Sequence, residues 1–319
     1  GGMIITDGRM YRIITVLEKG NTISLLAMIF VMCSFLSGCA HDKDNLDKDF
    51  VEDKPGAEIE RLGDVYFNQG NLELALMQYD KYLRDHPENA RVLYKKGMLL
   101  LKGKADEAAI LEFRKVIKID TRHAQAYQGL GQAYFRLKKN PEAKKNLSKA
   151  IELDPKLWQA HNMLGIVYDY QGKYNLSARE YNYAISLQPR VGFLYNNLGV
   201  SYSLMGKYEK AVQAFNKGLK YDDSNAKIYN NLGMALSKLG HYELAMEAFK
   251  KGGGDAKAYN NMGYVYLKEG KRDKAIRSFE KAIESQPTFY IKASDNLTTV
   301  SYTHLTLPTT LPRCRSRWS

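Results

Sequence analysis

A glycine that recurs at a fixed interval constrains this chain more than any other feature of its sequence. The recurring residues are Gly63, Gly97, Gly131, Gly165, Gly199, Gly233 and Gly263. The first five intervals are 34 residues long and the last is 30. A fixed period of this length indicates a repeat architecture, in which each unit buries its apolar face against its neighbours.

The residues around each glycine keep the same register. If the glycine is position 8 of a unit, position 11 is tyrosine or leucine, position 20 is alanine or serine, and position 24 is an aromatic residue or leucine. Positions 4, 7 and 11 follow helical spacing and predict an apolar face on a first helix, helix A. The small residues at positions 8 and 20 predict a close crossing with a second helix, helix B, beside which the residue at position 24 packs. Proline at position 32, as in Pro87, Pro155 and Pro189, ends helix B.

This pattern resembles the tetratricopeptide repeat (TPR), and the resemblance covers residues 56–289. It implies an all-α fold, an α-α superhelix (TPR solenoid) of about seven helix–turn–helix repeats with a concave inner surface. The sixth repeat departs from the pattern because Gly252–Gly253–Gly254 ends its helix B early and four residues are missing. We expect a local bend of the solenoid there; a functional hinge and a tolerated deletion both stay open.

The resemblance also implies that helix A lines the concave face. Position 5 is asparagine in four successive repeats and position 6 is asparagine in three. An amide both donates and accepts hydrogen bonds, so a row of amides can pair with the backbone of an extended peptide. The alternative for position 6 is a bond to the adjacent repeat. The candidate peptide-binding residues are Asn162, Asn196, Asn230, Asn260, Asn197, Asn231, Asn261, Tyr170, Tyr264, Lys238 and Lys268.

The N-terminal part of the sequence has the features of an export signal. Residues 23–35 form an uncharged apolar run with basic residues before it and small residues after it, which is typical of a secretory signal peptide. The run is short for a permanent membrane span. Leu36–Ser37–Gly38–Cys39 resembles the bacterial lipobox, which implies a signal peptide over residues 1–39 and acylation of Cys39. A plain signal peptide with an incidental cysteine is the alternative.

The segments that flank the repeats lead to further expectations. Residues 40–55 are charged and read as a solvated tether. Ala40 after the lipobox cysteine implies sorting to the outer membrane, with the protein facing the periplasm. Residues 290–299 are expected to start a capping helix. Residues 300–319 lose the helical pattern and contain Pro308 and Pro312, so we interpret them as a non-native tail, with a native disordered tail as the alternative.

Charge and motif content limit the function classes. The formal net charge of +12 is compatible with a polyanion partner, but the lysines alternate with acids on helix surfaces, so we expect no nucleic-acid partner. The sequence contains no phosphate-binding loop, nucleophile elbow or zinc motif, which predicts no enzyme activity, no cofactor and no metal. His161 occupies the packing position 4 and is expected in the core.

Lipobox, tether and repeat array together resemble the assembly lipoproteins of type IV and Flp pili, particularly at residues 260–266. The resemblance implies a protein–protein interaction scaffold, anchored by lipid in the periplasm, that aids assembly of a pilus or secretion-type envelope complex. Its partners would be other proteins or extended peptides in the concave groove. One alternative is the substrate-recruiting arm of a truncated enzyme such as a glycosyltransferase. Another is a polyanion binder.

Overall fold

The computed structural model describes residues 3–6, 9–12, 55–286 and 294–298 of the chain. The chain divides into two compact units, residues 1–57 and 58–319. In the first unit, β1 (Met3–Thr6) pairs antiparallel with β2 (Arg9–Arg12), and Met3 lies opposite Arg12. The apolar run 23–35, Cys39, most of the tether and the tail after residue 300 lie outside the described residues.

The second unit is built from consecutive helices, and the all-α prediction is confirmed for it. The strand pair β1–β2 was not predicted. The helices are α1 Pro55–Asn68, α2 Leu72–Asp85, α3 Ala90–Lys102, α4 Asp106–Ile119, α5 Ala124–Arg136, α6 Asn140–Leu153, α7 Trp158–Tyr170, α8 Tyr174–Leu187, α9 Gly192–Leu204, α10 Tyr208–Leu219, α11 Ala226–Lys238, α12 Tyr242–Lys268 and α13 Arg272–Ser285. Residues 294–298 form one further helical turn.

The periodic glycine permits each pair of helices to cross closely. A Cβ atom placed on Gly199 would lie 2.5 Å from Cε1 of Phe215, and one on Gly97 would lie 2.6 Å from Cε1 of Phe113. Both rings are almost fully buried. The same relation joins position 8 to position 24 in all seven repeats. Burial of one such ring contributes about 1.5–3 kcal/mol to the stability of its repeat.

The repeats stack so that their A helices lie side by side. α3 contacts α5, α5 contacts α7, α7 contacts α9 and α9 contacts α11, while successive B helices lie farther apart in the described part of the chain. The A helices therefore form the inner face of the array. This inner face is the surface on which the candidate residues of helix A are placed.

The sixth and seventh repeats are joined at a kink that separates two helices within α12. α12 runs through Gly252–Gly254, where Gly253 and Gly254 have non-helical backbone angles and Gly254 has a φ of 78°. Helix B of the sixth repeat thus passes into helix A of the seventh through a two-residue kink, without a loop. Gly252 is buried, and a Cβ there would lie 2.9 Å from Oδ1 of Asn230. The sixth repeat is four residues shorter because this kink takes the place of a loop between the two helices.

Candidate functional site

The asparagines at positions 5 and 6 form a chain of hydrogen bonds that crosses repeat boundaries, here called the asparagine ladder. In each step, the Nδ2 of position 6 donates to the Oδ1 of position 5 in the preceding repeat. The bonds are Asn197 to Asn162 at 2.9 Å, Asn231 to Asn196 at 2.8 Å and Asn261 to Asn230 at 3.2 Å. Asn296, in the helical turn after the seventh repeat, continues the ladder by donating to Asn260 at 2.8 Å.

The ladder gives the position 5 side chains a role inside the array. Asn162, Asn196 and Asn260 are buried, and Asn230 is half-buried. Each Oδ1 is used by the next repeat, so that atom is already paired before any ligand arrives. The position 5 side chains are therefore more buried than expected for residues whose only role is to contact a ligand. Their contact with a peptide stays a prediction.

Part of the hydrogen-bonding capacity of the ladder is left over. The structure gives no partner among the described residues to Nδ2 of Asn162, Asn230 or Asn260. Only Oδ1 of Asp106 and Oε1 of Gln171 are buried and unpaired in the described part of the chain, so these three Nδ2 groups keep contact with solvent. They are donors that could meet the carbonyl groups of an extended chain.

A groove of about 650 Å³ adjoins the ladder across repeats four to six, and we call it the central groove. Its most exposed apolar side chains are Tyr170, at 75% exposure, and Leu204, at 51%. The Tyr170 ring meets Phe135 edge to face at 5.1 Å, which orients the ring on the groove wall. The lining residues are Ile166, Asp169, Tyr170, Tyr174, Tyr181, Asn196, Asn197, Val200, Leu204, Lys227 and Asn231.

The carboxylate of Asp169 organises one wall of this groove. It accepts hydrogen bonds from the hydroxyl of Tyr181 at 2.8 Å, of Ser201 at 3.0 Å and of Ser177 at 2.5 Å. Ser177 and Ser201 are fully buried. Burial and the nearby negative charge of Asp169 raise the pKa of Tyr181, so its hydroxyl stays a donor. This cluster was not predicted, although Ser177 stands at position 20 of repeat four, where the other repeats have alanine.

The structure separates the remaining predicted residues from the central groove. It brings Tyr170 together with Asn196, Asn197 and Asn231, whereas Tyr264, Lys238 and Lys268 are exposed on A-helix segments of the last two repeats. The Lys268 ammonium lies 5.3 Å from the centre of the Tyr264 ring. The predicted set is thus divided into a central group and a C-terminal group, and ligand binding at both stays a prediction.

Ion pairs replace the amide ladder between the first two repeats. Nζ of Lys95, at position 6, lies 2.6 Å from Oε1 of Glu60, at position 5 of the preceding repeat, and 2.6 Å from Oδ2 of Asp64. Arg91 also binds Glu60, at 2.6 Å. The acidic and basic side chains at this end of the inner face therefore pair with one another. The uncharged asparagine ladder is found instead in the central and C-terminal repeats.

His161 is a buried member of the core between repeats. Its Nδ1 lies 2.8 Å from Oε2 of Glu180 and its Nε2 lies 3.1 Å from the carbonyl oxygen of Pro155. Burial by itself would raise the pKa of Glu180, but the hydrogen bond and charge of His161, together with Arg179, hold that pKa below its usual value. The described residues contain no group of three or more potential ligands arranged around a metal position.

Comparisons with known proteins agree on the repeat architecture. Family models described as tetratricopeptide repeats match residues 60–124, 124–157 and 256–289, and one described as a TPR repeat matches residues 202–240. Together these matches cover more than half of the chain. Among curated proteins, none matches it.

Solved structures of similar fold are numerous. A tetratricopeptide repeat protein from Parabacteroides merdae is 15% identical with a TM-score of 0.56, over 77% of this chain and 98% of that one. PilW, a widely conserved type IV pilus biogenesis factor, is 20% identical with a TM-score of 0.57, over 61% of this chain and 90% of its own. MamA is 30% identical with a TM-score of 0.46, over 54% of this chain and 94% of its own.

None of the helices in the described residues combines the length and the apolar character that crossing a bilayer requires.

Proposed function

Because the chain belongs to the tetratricopeptide repeat family, we propose that it is a non-enzymatic scaffold that binds an extended segment of another protein in the central groove. The observation that carries this proposal is the exposure of Tyr170 and Leu204 beside the amides of the ladder. Apolar side chains this exposed lose water contact when a ligand covers them, and full burial of one contributes about 1.5–3 kcal/mol. The adjacent amides supply orientation.

The groove suits a peptide better than a small molecule. It is an open trough whose walls come from three successive repeats, so an extended chain can follow it from one repeat to the next. The amides of Asn196, Asn197 and Asn231 line the same trough in two successive repeats, and amide groups can donate to and accept from an extended backbone. Apolar contacts at Ile166, Tyr170, Val200 and Leu204 would select side chains of the bound segment.

A charge placed in the groove tests this proposal. Leu204→Asp should weaken binding of the partner at least tenfold, because the carboxylate must lose water without gaining a partner. The matched control is Leu111→Asp, since Leu111 is 58% exposed on α4 and lies outside the groove. A photoreactive residue at position 170, followed by mass spectrometry, would identify the partner. Equal capture by both aspartate variants would refute the groove as the binding site.

The cellular setting is the finer part of the proposal. We infer that Cys39 carries a lipid anchor, that the repeat array works at the outer membrane facing the periplasm, and that it aids assembly of a pilus or secretion-type complex. The support is the apolar run 23–35 followed by Leu36–Ser37–Gly38–Cys39. The similarity to PilW concerns the fold, since the identity is 20%.

Metabolic labelling with an alkyne fatty acid tests the anchor. Label should enter the wild-type chain and be lost in Cys39→Ser, because acylation requires the thiol at that position. Cys33→Ser, which removes the cysteine inside the apolar run, serves as the control and should keep the label. Incorporation that persists in Cys39→Ser would exclude Cys39 as the acylated residue.

A further inference from the structure

Five lysines occupy the turns between helices A and B in repeats two to five. These edge lysines are Lys104, Lys138, Lys139, Lys173 and Lys207. All five are exposed, and the structure shows no hydrogen bond, ion pair or ring contact of their side chains among the described residues. Because the repeats stack in register, successive A–B turns follow one edge of the array, and the edge lysines share that edge.

Each edge lysine stands where lysine opposes folding. Lys104 and Lys138 have φ values of 63° and 60°, in the left-handed region that glycine occupies at the same turn of the other repeats. Lys139, Lys173 and Lys207 are the N-cap residues of α6, α8 and α10, and none makes a side-chain cap hydrogen bond. Lysine offers no acceptor there, and its charge repels the positive end of the helix dipole.

The acidic residues beside the edge lysines are fewer than the lysines and offset only part of their charge. Glu107, Glu142 and Glu209 lie in the first turns of α4, α6 and α10, and α8 has no acidic residue in its first turn. Asp106 is already paired with Arg136, at 3.1 Å. Lysine at five positions that do not favour it, without partners in the described part of the chain, is not explained by the stability of the fold and is consistent with a contact outside it.

We propose that the edge lysines form a surface that lies against the anionic headgroups of a lipid bilayer. Lysine is a strongly hydrated point charge on a flexible stem, which suits a diffuse field of phosphates better than fork-like recognition of a single one. Arg136, which lies beside Lys138, is already engaged by Asp106 and the carbonyl oxygen of Leu101, so it is not available for the specific base contacts that arginine makes to nucleic acids. The proposal rests on the anchor proposed at Cys39, because residues 40–54 would hold the array within about 50 Å of the membrane.

Binding to vesicles tests the surface with the mature chain. The parent protein begins at position 39 and carries Cys39→Ser, so that neither the apolar run 23–35 nor an acyl group contributes. It should sediment with phosphatidylcholine vesicles that contain phosphatidylglycerol, and much less with phosphatidylcholine alone, with binding lost as salt rises. Replacement of all five edge lysines by glutamine should weaken binding to the anionic vesicles at least tenfold, since one lysine contributes about fivefold.

A control variant separates the edge from net charge. It carries Lys81→Gln, Lys118→Gln, Lys156→Gln, Lys217→Gln and Lys220→Gln, which remove the same charge from exposed positions elsewhere, and it should bind like the parent. Equal loss in the two variants, equal binding of the parent to both vesicle types, or tighter retention on duplex DNA than on anionic vesicles would overturn the proposal.

Failure of the lipid surface can be told apart from failure of the scaffold function. The edge variant should still crosslink to its partner from position 170, because the edge lysines lie outside the central groove. Loss of groove capture with vesicle binding intact would refute the scaffold and support the surface. Circular dichroism of the edge variant should match the parent, since each glutamine replaces an exposed side chain.

Discussion

Glycine closes five of the seven A–B turns with a positive φ, and Lys104 and Lys138 close the other two. The backbone of this turn is thus fixed by the stacking of the two helices, whichever residue is present. An L-residue with a side chain is less stable than glycine in this conformation by about 1–2 kcal/mol. The two lysines therefore mark places where single residues lower the stability of the fold.

Lys138→Gly should increase the free energy of unfolding by about 1 kcal/mol, because glycine adopts the required φ without steric cost. Urea unfolding monitored by circular dichroism measures the change. Lys145→Gly is the control: Lys145 is exposed within α6, where glycine should destabilise by about 1 kcal/mol. A Lys138→Gly protein less stable than the wild type would contradict the interpretation of the turn.

The pair of His161 and Glu180 makes stability depend on acidity. The folded-state pKa of Glu180 lies below its unfolded value, so the stabilisation is fully present above the unfolded pKa of about 4.3 and is lost as pH falls through the folded pKa. Glu180→Gln should therefore be less stable than the wild type at neutral pH, and the difference should shrink below about pH 4. Urea unfolding at several pH values measures it, with Glu209→Gln as the exposed control. A difference that stays constant with pH would exclude Glu180 as the cause.

At the scale of helices, the asparagine ladder joins each helix A to the next. Its bonds are uncharged and partly buried, so they should persist at salt concentrations that weaken the Glu60–Lys95 pair. Each ladder bond contributes about 0.5–1.5 kcal/mol, and more is lost when a buried acceptor is left without its donor. The ladder therefore specifies the register of neighbouring repeats as well as lining the inner face.

Asn231→Ala should destabilise the protein by about 1–3 kcal/mol, because Oδ1 of the buried Asn196 loses its donor. Thermal unfolding measures the loss. Asn175→Ala is the matched control, since Asn175 is exposed on α8 and should change stability little. Similar midpoints for the two variants would mean that the ladder adds nothing to the packing of the repeats.

The helical pairs could be predicted from sequence because their contacts are local and periodic. Gly199 and Phe215 lie within one unit, and their spacing alone indicates that they meet. The ladder could not be predicted in the same way, because Asn231 and Asn196 meet only after two repeats have stacked with a particular offset. The cluster at Asp169 was missed for the same reason, since Ser201 comes from the next repeat.

The strand pair β1–β2 was missed although its signal was present. Asp7–Gly8 stands between Met3–Thr6 and Arg9–Arg12, and an Asp–Gly pair between strand-forming residues is a strong indication of a β-hairpin. The basic residues of this segment were instead read as the charged start of an export signal. The prediction of an export signal thus relied on the basic residues of this segment and did not take the turn-forming Asp7–Gly8 pair into account.

At the scale of the whole repeat array, stability should be divided among neighbours. Each repeat in the described chain contacts mainly the ones before and after it, so a local change should be felt nearby. The kink within α12 is the place where two neighbouring repeats are joined without a loop. A substitution that strains this kink should therefore destabilise the seventh repeat more than the others.

Gly254→Ala should cost about 1–2 kcal/mol, because the φ of 78° at this residue disfavours a side chain. Hydrogen exchange should become faster in α13 and in the second half of α12, with no change in α3 to α8. Exchange measured by mass spectrometry resolves these segments. A uniform increase across all repeats would show that the array unfolds as a single cooperative unit instead.

The short reach of the contacts between repeats has a consequence for how the chain acquires its structure. The ladder bonds and the corresponding ion pair join residues 31 to 36 apart in sequence, about one unit along the chain. Closing such short loops costs little entropy, so a low contact order favours rapid folding. A chain that emerges gradually from a ribosome or a translocation pore can thus fold repeat by repeat. Each new repeat packs against the folded repeat before it, without waiting for the rest of the chain.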